Sequence, residues 1–139
     1  MLNRIAVSTM TVMAVSSSPA PAQSSRPIPE QADVMVAYER TGGFAGVRER
    51  ITVHDDGKTV VTSGKTTDFI LTTDEYRRLR NALRSVTTTW SSAFGCDIPD
   101  HFTYALAHRD WQAVRCHRLP DDWQLAVAQL DELISRSNW

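Results

Sequence analysis

Val36-Ala37-Tyr38-Glu39-Arg40-Thr41-Gly42-Gly43-Phe44-Ala45-Gly46-Val47-Arg48 is the stretch on which the fold of this chain turns. Its middle, Thr41-Gly42-Gly43-Phe44-Ala45-Gly46, sets three glycines and one large aromatic between two segments of strand character. Glycine reaches backbone angles that strain other residues, so this spacing predicts a sharp reversal. Before it, Val34, Val36 and Tyr38 share one face and Met35 and Ala37 the other, a loose alternation that fits a strand covered in part on both sides. After it, Val47, Ile51 and Val53 oppose Arg48, Arg50 and His54, the cleaner pattern of a half-exposed antiparallel strand. Phe44 then has two readings. It stands at the tip of a hairpin, or it folds back onto the sheet as ordinary packing.

Working outward, Asp55-Asp56-Gly57-Lys58 marks a tight turn into a strand over 59–62, with a further short strand over 67–71. Thr72 with Glu75 three residues on makes a capping box, and Tyr76, Leu79, Leu83 and Val86 recur at helical spacing, predicting a helix over 76–86. Arg77, Arg78 and Arg84 fall off that stripe and read as its solvated face. The β-branched run Thr87-Thr88-Thr89 ends the helix. Phe102, Tyr104 and Leu106 alternate with Thr103, Ala105 and Ala107, and 111–118 return beside them across a turn at Arg109-Asp110, giving a second hairpin. Trp123, Val127, Leu130 and Ile134 then form a last helical stripe, opened by Pro120 with Asp121 and Asp122 near its positive end. This order predicts an α+β domain: an antiparallel sheet of about four to five strands, covered on one face by a main helix and a C-terminal helix.

Arg4, the mostly apolar run 5–15 and the small residues of Ser16-Ser17-Ser18-Pro19-Ala20-Pro21-Ala22 predict a secretory signal over 1–22. The apolar run is too short to anchor the chain in a bilayer. A Ser- and Pro-rich flexible lead over 23–32 follows, then one domain over 33–139. Export places the protein outside the cell or in the periplasm. With a net charge of −1 and no long basic run, neither nucleic acid nor a membrane surface is an expected partner. Cys96 and Cys116 are the two cysteines, and an even count in an exported chain predicts a disulfide joining the linker after the first helix to a late strand.

The string 36–48 resembles the signature near the start of emfourin-type proteins, small bacterial inhibitors of thermolysin-like zinc metallopeptidases. The helix around 76–86, Pro99-Asp100-His101-Phe102-Thr103-Tyr104 opening the late strand pair, and Leu119-Pro120 before the last helix follow the family's order of elements across 34–134. The resemblance implies a cystatin-like arrangement and a protein partner, a thermolysin-like metallopeptidase whose cleft accepts large apolar side chains. It makes Thr41, Gly42, Gly43, Phe44, Ala45 and Gly46 the target-binding residues, with Phe44 as anchor and a free monomer as the unbound form. Cystatin-like inhibitors use more than one loop, which by analogy puts a second contact at Arg109, Asp110 and Trp111. The predicted export signal and the extra segment 58–71 depart from the usual pattern of the family.

An enzyme would need a nucleophile with its base, a carboxylate pair or a metal cluster. His54, His101, His108 and His117 form no His-x-x-x-His pair. The acids at 55–56 and 121–122 sit where a turn and a helix start want them, and no glycine loop leads from strand to helix. No catalytic residue, metal ligand or cofactor is therefore expected. The competing class is an exported, non-catalytic interaction module that binds a cell-envelope or host partner and inhibits nothing.

Overall fold

The computed structural model describes residues 33–139; the expected signal (1–22) and the lead (23–32) lie outside the described residues. Strand β1 (Val34–Gly42) is central, pairing antiparallel with β2 (Val47–His54) on one side. Strands β3 (Lys58–Ser63) and β4 (Lys65–Ile70) extend the sheet beyond β2, while β5 (Phe102–His108) pairs with the other side of β1 and β6 (Trp111–Cys116) with β5. The result is one six-stranded antiparallel sheet in the order β4-β3-β2-β1-β5-β6. Two helices, α1 (Thr73–Arg84) and α2 (Gln124–Ser137), complete an α+β architecture.

Six strands replace the four to five expected from the sequence, because 65–70 forms a full edge strand. That strand buries little: Phe69 is half-buried and Ile70 exposed, so its apolar pattern is weak. The alternation read over 34–38 is also modified. A register shift between Val34 and Val36 makes a β-bulge, and Met35 and Val36 are both fully buried.

Helix α1 starts as its capping box dictates: the Glu75 amide donates to Thr72 Oγ1 at 3.2 Å, and the Thr72 amide donates to Glu75 Oε2 at 2.8 Å. Helix α2 packs on β2, β3 and α1, and the core lies between the helices and one face of the sheet. Tyr38, Ile51, Val53, Val61, Leu106 and Ala113 line the sheet side of that core. Leu79, Leu83, Leu130 and Ile134 oppose them, each 2% exposed or less, and burying such a side chain contributes about 1.5–3 kcal/mol. The other sheet face presents small and polar residues, among them Ala37, Thr52, Ala105 and Ala107 in half-buried positions.

Asp122 departs from its expected role. It lies in a 3-10 turn (Asp121–Trp123) ahead of α2, and its carboxylate accepts the amides of Thr87 and Thr88 at 2.7 and 2.8 Å and both threonine hydroxyls. Trp123 reinforces the same junction, donating its indole N–H to the Thr88 carbonyl at 2.8 Å. The acid thus ties the linker after α1 to the start of α2. The predicted disulfide is present between Cys96 and Cys116, closing a sequence separation of 20. A loop of that length stabilises a fold by about 3 kcal/mol in the chain-entropy account. No helix among the described residues is long and apolar enough to cross a membrane.

Candidate functional site

The β1–β2 hairpin closes through glycines that other residues could not replace without strain. Gly42 pairs with Val47 on one side and Phe102 on the other, at φ +103. A Cβ there would stand 2.5 Å from the His101 carbonyl oxygen. Gly43 donates its amide to that same carbonyl at 3.0 Å, and the Gly46 amide donates back to the Gly43 carbonyl at 3.2 Å. The turn is therefore anchored to the start of β5 as well as closed on itself. Phe44 and Ala45 occupy its tip, and Phe44 is 95% exposed. Of the two readings open to Phe44, the structure shows the projecting one.

Under the hairpin lies a stack of side chains that stiffens it. Arg40 pairs with Glu49 across the β1–β2 ladder and reaches Asp131 of α2 at 3.6 Å. Its guanidinium also lies 5.4 Å from the centre of the Phe102 ring, a cation–π distance. The Phe102 ring in turn abuts Gly43. Burial opposes the Arg40 charge, but Glu49 and Asp131 outweigh it and hold the guanidinium pKa above its ordinary value. Burial raises the Asp131 carboxyl, against the pull of Arg40. A line of contacts thus runs from the last helix to the glycine turn.

Residues 94–101 lie at the same end of the sheet, joined to β6 by the Cys96–Cys116 bond. Upstream of them, residues 90–92 run along the outer edge of β6. Ser92 donates its amide to the Val114 carbonyl at 3.0 Å, and Ser91 Oγ accepts the Val114 amide at 2.9 Å. This occupies hydrogen-bonding groups that an edge strand would otherwise offer to another chain. Trp90 stands over Arg115, whose guanidinium lies 5.5 Å from the ring centre.

The turn at Arg109, Asp110 and Trp111 is elsewhere. Val36 pairs with His108 while Gly42 pairs with Phe102, so the two ends are separated by six residue steps, about 20 Å of strand. Arg109 is engaged by Asp55 at 2.8 Å, bridging to the β2–β3 turn. Trp111 is half-buried, its ring 6.3 Å from that of Trp123. The structure therefore does not bring this turn to the glycine hairpin, and its tryptophan packs on the core.

No family model matches this chain, and no curated protein matches it in sequence.

The histidines are dispersed. His101 Nδ1 lies 2.7 Å from the Ile98 carbonyl, His108 Nδ1 lies 2.8 Å from the Met35 carbonyl, and His54 faces Asp33 at 3.5 Å. Among the described residues no group of three or more His, Cys, Asp or Glu side chains is placed to hold a metal ion. What the 41–46 end of the sheet offers is a turn held by backbone hydrogen bonds with one exposed aromatic side chain, Phe44, at its tip. Neighbouring 94–101 was not singled out as a contact in the sequence, although Phe94 beside Gly95-Cys96 carried the signal: a large aromatic in a disulfide-closed, glycine-containing loop.

Proposed function

We propose that this protein is an exported inhibitor of a thermolysin-like zinc metallopeptidase, acting by seating the 41–46 turn in the enzyme's cleft and blocking substrate. One observation carries the reading: Phe44 projects with 95% of its surface exposed from a turn whose backbone is hydrogen-bonded to His101, the residue that leads into β5. An aromatic side chain contributes nothing to its own fold in that position, but it suits an anchor for a partner's pocket. A turn held in shape before binding loses little entropy on association.

The likeness of 36–48 to emfourin-type inhibitors supplies the partner's identity, and a cystatin-like platform carrying its loops along one narrow end is the form of fold this reading uses. The inhibitor performs no reaction of its own and needs no cofactor or metal. It is a monomer when free, and it binds neither nucleic acid nor membrane. The Cys96–Cys116 disulfide fits an oxidising compartment, which supports a secreted or periplasmic location.

The test is steady-state peptide cleavage by thermolysin with increasing amounts of the purified protein. A rising apparent KM at constant kcat is expected, because the turn and the substrate compete for one cleft. Cleavage unaffected at any concentration would leave the protein an interaction module without inhibitory activity.

A further inference from the structure

Phe44 has apolar company at its end of the sheet. In the loop over 94–101, Phe94 is 81% exposed and Ile98 37% exposed. The loop is nevertheless held in place. The Ile98 amide donates to the Gly95 carbonyl at 3.2 Å, the Ile98 carbonyl faces His101 Nδ1 at 2.7 Å, and the His101 carbonyl accepts the Gly43 amide at 3.0 Å. Gly95 is buried against Cys116 and His117, where a Cβ would meet the His117 side chain at 2.9 Å. Asp100 and His117, at the two places where this loop joins β5 and β6, both adopt left-handed backbone, at φ 57 and 65. Such a conformation costs about 1–2 kcal/mol per non-glycine residue and persists where the surroundings impose it.

We infer that the 94–98 loop and the 43–46 turn form one two-part binding edge, in which Phe94 and Ile98 fill apolar subsites beside the one taken by Phe44. This inference rests on the proposed inhibition of a thermolysin-like peptidase, and its occupant is that enzyme's cleft. Apolar side chains raised on adjoining turns at a narrow end match a concave partner, because a flat one would touch only their tips. Charge specifies the wall they meet. Residues 94–100 carry Asp97 and Asp100 and no cation. Both acids are exposed, and neither joins an ion pair among the described residues. The cleft wall facing this loop is therefore basic.

The experiment compares inhibition constants against thermolysin for the parent, F44A, F94A, F94A/I98A and D97N/D100N proteins, with a thermal melt of each. Loss of the second part of the edge weakens inhibition about tenfold or more in F94A/I98A, the range of interface anchors, with an unchanged melt. F94A, altered at the more exposed of the two apolar positions, supplies the same readout if the double variant melts early. D97N/D100N associates more slowly at low salt, and its association rate depends less on salt. Inhibition by F94A and F94A/I98A within about twofold of the parent, a change too small for an anchor, overturns the inference. Weakening by F44A in that same experiment would leave the proposed function standing. A parent protein that does not inhibit overturns both, and an unchanged association rate in D97N/D100N overturns the basic wall.

Discussion

The Phe102 ring fills the space that a side chain at Gly43 would need: a Cβ at Gly43 would stand 2.7 Å from the ring's Cζ. Gly43 also holds a left-handed backbone at φ +74. Gly46 shares that handedness, at φ +61, but a Cβ there meets nothing within 4 Å. The two glycines separate conformational strain from steric exclusion.

Gly46→Ala therefore costs about 1–2 kcal/mol, the penalty of left-handed backbone alone. Gly43→Ala costs more, because the ring beneath Arg40 must also move. Denaturant unfolding of the two variants tests this, and equal losses would remove Phe102 from the explanation. Gly42 and Gly43 are accordingly poor sites for testing binding, since changes there disturb the β1–β5 junction itself.

Tyr38 is fully buried, and its hydroxyl has no hydrogen-bond partner among the described residues. Burial pushes the phenol far above its ordinary pKa, so it stays protonated. An orphaned buried hydroxyl costs about 1–3 kcal/mol, and Tyr38→Phe removes it without changing the ring. The variant is expected to be as stable as the parent or more so. A loss above about 1 kcal/mol would show that the hydroxyl has a working hydrogen bond, with the neighbouring Asp131 carboxylate as its acceptor.

Acid should weaken the fold through Asp122 and Glu75. Burial tends to raise the Asp122 carboxyl, but the amides and hydroxyl donated by Thr87 and Thr88 outweigh it and hold its pKa below the ordinary value. The Thr72 amide and the Arg136 guanidinium lower Glu75 in the same direction. A folded pKa below the unfolded one contributes stability above about pH 4, which is lost as pH falls through the folded value. Asp131, raised by burial, has the opposite sign and favours the folded state as it protonates. Unfolding free energy measured across this range should fall on acidification, and Asp122→Ala should flatten that fall while costing about 1–2 kcal/mol at neutral pH. An acid limb with the same slope in the variant would contradict this account of Asp122.

Much of this was readable in the residues themselves. The Thr72–Glu75 box with the stripe through Leu79 and Leu83, the alternation over Val47–His54, and the buried Trp123, Val127, Leu130 and Ile134 each follow from local chemistry that the tertiary structure does not oppose. Asp122 did not, because its hydrogen bonds reach 34 and 35 residues back along the chain and displace the helix-end role that its position suggests. The bulge at Met35 was hidden because a one-residue slip leaves composition unchanged. The edge strand 65–70 was hard to delimit because it buries one face only in part. At the site, the glycine turn was legible from its own residues. Its attachment to His101, and the distance separating it from Arg109–Trp111, depend on β1 pairing with β5, whose partners lie about sixty to seventy residues apart in the chain.

The most direct measurement is the inhibition constant of Phe44→Ala against thermolysin beside that of the parent, with unfolding followed on both proteins. Because Phe44 is exposed in the free protein, the substitution should leave stability within about 0.5 kcal/mol while weakening inhibition about thirtyfold, as expected for an anchor worth 2 kcal/mol or more. Equal inhibition by the two proteins would contradict the claim that this side chain enters the enzyme's cleft.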